Sequence, residues 1–140
     1  MCYGFSLKVR RITRIILASL FLFAGALHLA NPALFLPLMP PFIPFPFAAI
    51  IISGVFELLG GMGLLVVENR LLTVFGWGLA LLLVAVFPAN VYMAVANVQI
   101  HGIPSQPWMA WARLPLQAVL ILAVLWSTQA WPARQGQNQA

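Results

Sequence analysis

Four long apolar runs, separated by short polar or proline-rich breaks, organise this chain. They cover residues 12–30, 47–67, 71–96 and 112–131. Each has about the 20 residues that a helix needs to cross the hydrocarbon core of a bilayer. Lipid gives the backbone no hydrogen-bond partner, so such spans are helical unless the chain closes a barrel. The pattern therefore predicts an all-α protein, a polytopic membrane four-helix bundle, with residues 12–131 as its single transmembrane domain. Residues 1–11 precede it as a basic segment, and residues 132–140 follow as a polar tail without expected order. The first run also has the basic start and apolar core of a signal peptide, with small residues at Ala24, Gly25 and Ala26. Its length favours a retained span.

The break between the first two runs is itself apolar. It reads NPALFLPLMPPFIPFP and carries prolines at 32, 37, 40, 41, 44 and 46. Those prolines forbid a continuous helix. A loop without charges has little reason to stand in water. It is read either as a cap folded back across the outer mouth of the bundle or as a plain interfacial loop. No repeat between the two halves of the chain stands out.

Composition strengthens the membrane reading. Hydrophobic residues make up 63% and charged residues 6%, and the mean hydropathy is +1.00. A soluble domain carries roughly a quarter charged residues. The lipid bilayer is thus the first partner expected. The net charge of +5 would suit nucleic acid, but its placement does not. Lys8, Arg10, Arg11 and Arg14 gather before the first span, Arg70 lies between the second and third, and Arg134 follows the fourth. Four spans put these six on one side and leave only Arg113 on the other. Positive residues stay inside, so both termini are expected to be cytoplasmic in a bacterial inner membrane, with no nucleic-acid partner. The basic cluster would also attract anionic headgroups. Trp108 and Trp111 then mark the outer interface, and Trp131 the inner one.

Cys2 is the sole cysteine. It can make no internal disulfide, CxxC pair or multi-cysteine metal site. Any redox role would need a bound cofactor or a partner's thiols.

The candidate chemistry lies in the few polar residues within the spans. Glu57 falls near the middle of the second. A carboxylate there costs several kcal/mol unless it is protonated, paired or hydrated. Its helical neighbours Ser53, Gly54, Gly60 and Gly61 are small, so this face is expected to meet another helix. His28 lies near the outer end of the first span. Asn90 follows Pro88 near the outer end of the third, with Tyr92 beyond it. Arg113 and Gln117, four apart, share a face at the outer end of the fourth. Each helix contributes a polar group, and all fall at the midplane or in the outer half. That shared depth is the strongest signal in the chain.

Arg113 is the natural counter-ion for Glu57. Failing that pairing, Glu57 is expected to be protonated. Pro88 frees a carbonyl near Val84, and Asn90 or Tyr92 is placed to answer it. Each residue also has a plainer role. Glu57 and Arg113 can form a clamp that fixes helix register, and His28 can cap a carbonyl. Asn90 can serve the kink alone, Arg113 can snorkel to headgroups, Gln117 can be a spectator, and Tyr92 an interfacial aromatic. His101 falls in the outer loop and is expected to be solvated, which argues against a haem pair with His28. Only His28 and Glu57 offer themselves to a metal, so no metal site is expected. No nucleophile–base pair or phosphate-binding glycine loop occurs.

The pieces GALHLANPALFLPLMPPFIP, ISGVFELLGGMGLL, FPANVYMA and RLPLQAVLI, in that order, resemble the DoxX family of small four-helix bacterial membrane proteins. The resemblance spans about residues 12–131. It implies a four-helix fold in the bacterial inner membrane and an accessory role near quinone or oxidative-stress redox chemistry. Some members are linked to thiol stress, but direct thiol chemistry is in doubt here without a cysteine pair. Three functions follow as expectations. The chain is a ligand-binding or redox-accessory subunit holding a quinone-like lipophile, with a soluble or membrane redox protein as partner. Alternatively it is a non-catalytic scaffold in which the polar layer is internal glue. A small transporter is the third reading, weakened by the lack of a second intramembrane carboxylate. The cofactor, any reaction of this chain alone, and homo-oligomerisation stay open.

Overall fold

The structure is a computed structural model that describes residues 2–98 and 106–129. Four α-helices follow one another: α1 (Cys2–Ala30), α2 (Pro46–Val66), α3 (Asn69–Val95) and α4 (Pro107–Ser127). Two single-turn 3-10 helices, Pro32–Leu34 and Leu36–Leu38, lie between α1 and α2. All four α-helices are long and apolar enough to cross a membrane. The described residues contain no strand, so the expected all-α class holds.

The helix ends differ from the apolar runs in instructive ways. α1 begins at Cys2, ten residues before the apolar run, although only Leu7–Ala30 is of spanning character. Lys and Arg are good helix formers, so the basic stretch simply continues the helix beyond the apolar part. Arg10 lies over the Trp126 ring, 5.1 Å from its centroid, which ties this extension to α4. α4 starts earlier than its apolar run because Pro107 occupies the first helical turn, where a missing N–H costs nothing. Trp108 and Trp111 consequently fall on that helix, both exposed. His101, Trp131, Arg134 and the tail lie outside the described residues.

The four helices form a ring. α1 packs on α2 and α4, and α3 packs on α2 and α4, while the diagonal pairs stay apart. The most extensive interfaces are α1–α2 and α3–α4. Gly25 meets Gly54, and Gly61 meets Leu22 and Ala18, so α1 and α2 run antiparallel. Side chains larger than hydrogen at Gly25 and Gly54 would prevent that approach. A Cβ on Gly25 would lie 2.7 Å from the Gly54 carbonyl oxygen, and one on Gly54 would lie 2.8 Å from the His28 Cβ.

The hydrophobic core fills the half that holds the turn between α2 and α3. Leu17, Phe21, Leu64, Leu72, Leu79 and Val124 make its centre. Large apolar side chains also cover the outside: Phe23, Phe56, Leu81 and Leu122 are all more than half exposed. A water-soluble bundle would put charges there. This one presents a lipid-compatible belt.

The proline-rich segment folds back onto the bundle. Its two turns pack against α2 and α3, with Leu38 and Pro40 buried. Phe45 enters α2 in the left-handed region, φ 56°, just before Pro46, which disfavours a right-handed helical residue ahead of it.

Candidate functional site

A cavity of about 560 Å³ lies beneath that proline-rich segment, between α2 and α3 towards the end away from their connecting turn. Phe35, Leu38, Met39 and Ile43 form its roof. Of the two readings of this loop, the cap is the one that the fold adopts. Ile52, Ala85 and Pro88 also line the cavity and are themselves exposed. The cavity is therefore not sealed from the surface of the bundle.

The polar wall is built from two pairs. His28 Nδ1 lies 2.7 Å from Glu57 Oε2, joining α1 to α2. The Gly25–Gly54 approach brings them together, because the His28 Cβ rests against Gly54. Glu57 is 8% exposed, which satisfies the expectation that its face turns inward. One proton lies in this contact, held by either the imidazole or the carboxyl. The imidazole also packs at a tilt on Phe35, with 4.1 Å between ring centroids. Sequence reasoning passed over Phe35, and nothing in its spacing from His28 marks that contact.

The second pair joins α3 to α4. Asn90 Nδ2 donates to Gln117 Oε1 at 2.7 Å, and Gln117 Nε2 donates to the Leu83 carbonyl. Pro88 removes the N–H that would answer Val84, and the Leu83 carbonyl is its immediate neighbour on the loosened turn. At this turn Gln117 reaches in from the next helix, to Leu83 rather than to the freed Val84 carbonyl, and Asn90, expected as a donor here, holds Gln117. Gln117 is 3% exposed, so it is no spectator. We expect Gln117→Leu to lose about 1–3 kcal/mol of stability, because the Asn90 amide and the Leu83 carbonyl lose their partner. Tyr92→Phe changes stability by less than about 0.5 kcal/mol. Equilibrium unfolding in mixed micelles reads both.

Arg113 lines the same cavity, but it does not pair with Glu57. Its Nη1 donates to Met93 Sδ at 3.4 Å. The reason is the ring. α2 and α4 are diagonal, whereas α1 is the neighbour of α2 and brings His28 to the carboxylate. Five of the six candidate residues are thus gathered: His28, Glu57, Asn90 and Arg113 on the cavity wall, and Gln117 bonded to Asn90. Tyr92 is half-buried and not on that wall. Ser53 is, with its hydroxyl donating back to the Ile50 carbonyl at 2.9 Å. Among the described residues no three His, Cys, Asp or Glu side chains converge as metal ligands. The chemistry available is hydrogen bonding, one fixed cation and proton exchange along the His28–Glu57 contact.

The model of a protein family, described as a domain of unknown function (DUF8561), matches residues 17–128. The chain belongs to that family. In this DUF8561 chain the matched region begins at Leu17 and ends at Thr128, residues 2% and 1% exposed, so it coincides with the packed bundle. All six candidate residues fall inside it. No curated protein matches the chain, and neither does any solved structure.

Proposed function

We propose that this chain is an integral membrane protein of DoxX type that binds the head of a lipophilic molecule, such as a quinone, in the cavity between α2 and α3. The observation that carries the reading is the composition of that cavity. Its roof and walls are largely apolar, a few polar groups gather on its wall, and several of its lining residues are exposed. This is the usual make-up of a lipophile site: apolar area for binding and a few fixed polar groups for orientation. A quinone needs donors at its carbonyl oxygens, and two protons with two electrons on reduction. Arg113 supplies donors, and the His28–Glu57 contact holds a proton that it can pass on. The electrons would come from a redox partner protein, which makes this chain an accessory subunit. The DoxX resemblance and the one-sided basic residues support a bacterial inner membrane with both termini cytoplasmic.

One observation favours a second reading, a non-catalytic scaffold. Both polar pairs satisfy each other across adjacent helices, as internal glue would. Native mass spectrometry after gentle detergent extraction separates the two, with wild type beside Glu57→Gln and Arg113→Ala. A binding subunit releases a co-purifying lipophile from wild type and from neither variant. A scaffold is bare in all three, and its variants merely melt earlier.

A further inference from the structure

The polar groups on the cavity wall are not equally free. Asn90 is held by Gln117, and Ser53 by the Ile50 carbonyl. Glu57 and the Nδ1 of His28 hold each other. Two donors remain. The His28 Nε2 has no partner among the described residues. The Arg113 guanidinium has five N–H donors, and its contact is a single thioether, a weak acceptor.

Among the described residues no carboxylate pairs with Arg113. The whole sequence holds two acidic residues, Glu57 and Glu68. Glu57 is engaged by His28, and Glu68 is exposed and precedes the start of α3 at the far end of the bundle. Arg113 is an exposed cation at the edge of that cavity, and its guanidinium fork fits two oxygens of one acidic group.

Resting on the reading of this cavity as a lipophile site, we infer that the head it holds is acidic: an amphiphile with an anionic oxygen group on Arg113 and its tail leaving between α2 and α3. Two sources share that chemistry, an acidic quinone and a long-chain carboxylate.

Isothermal titration calorimetry on the full chain in zwitterionic nanodiscs, with empty discs as blanks, tests it. The probes are an alkylated hydroxynaphthoquinone that is ionised at neutral pH, the same quinone without the hydroxyl, dodecanoate and dodecanol. At least one anion binds wild type about tenfold or more tighter than its neutral counterpart, the scale of one charge-assisted hydrogen bond. Which anion shows the preference identifies the source. Arg113→Gln erases the preference and Arg113→Lys keeps part of it. Ala89→Trp and Ile52→Trp, which fill the cavity from opposite walls, each abolish binding. Equal affinity for anion and neutral probe overturns the inference and leaves the lipophile site standing. An anion preference that survives both filling variants also overturns it, since Arg113 would then serve headgroup phosphates outside the cavity. Binding by no probe removes the inference and the lipophile reading together.

Discussion

Gly25→Leu is expected to lose most of its folded population in detergent, while Gly78→Ala melts with the wild type or slightly above it. The contrast follows from what each glycine faces. A Cβ on Gly25 would sit 2.7 Å from the Gly54 carbonyl oxygen and 3.1 Å from the Glu57 Cβ. The first of these is backbone, so no rotamer change relieves it. Only a displacement of α1 from α2 does, along the interface that positions the polar site. Overpacking of a close-packed interior costs about 1–3 kcal/mol, and forcing two helix backbones apart lies at or above the top of that range. Gly78 has nothing within 4 Å of its would-be Cβ. There alanine adds only its better helix propensity, up to about 1 kcal/mol. Circular dichroism melts of the two variants decide the matter. A Gly25→Leu protein that melts within a few degrees of wild type would mean that α1 and α2 do not meet at this point.

Removing either partner of the His28–Glu57 pair should be nearly as damaging. Whichever partner holds the proton, stripping one leaves the other's polar group without its hydrogen bond inside the bundle, at about 1–3 kcal/mol. His28→Ala and Glu57→Ala are therefore each expected to be destabilised. The double variant should lose less than the two combined, with a coupling of about 2 kcal/mol. The matching cycle between Glu57 and Arg113 should be additive to within about 0.5 kcal/mol, because those residues sit on diagonal helices. Unfolding titrations of the five variants measure both cycles. A larger coupling to Arg113 than to His28 would reverse the assignment of the counter-ion.

The counter-ion marks the limit of what the sequence makes legible. The spans, the inward face of Glu57 and the shared depth of the polar groups all follow from composition and helical spacing, and the structure contains each of them. The small residues around Glu57 even point to close helix contact, which Gly54 makes with Gly25. Which polar group meets which depends on something else: the order of helices around the ring and the register of each pair. Arg113 and His28 lie at similar depth, and only the ring order separates them. Gln117 is the same case. Its reach to the Leu83 carbonyl depends on α4 lying beside the Pro88 kink, and no spacing within one helix records that. The extension of α1 was legible, since nothing between the basic residues and the apolar run breaks a helix. Apolarity and helicity are different properties, and the apolar run reports only the first. The roof over the cavity was half legible: prolines exclude a helix there, but the descent of Phe35, Leu38 and Met39 onto the site is a tertiary event.

The account stands or falls on whether a lipophile occupies the cavity between α2 and α3. The most direct measurement is photo-crosslinking with a diazirine-bearing alkylquinone in native membranes, followed by peptide mapping. The account predicts adducts on the cavity-facing stretches, residues 49–57 of α2 and 82–90 of α3, and competition by the same quinone without the diazirine. Adducts spread over the lipid-exposed faces of all four helices, without competition, would contradict it.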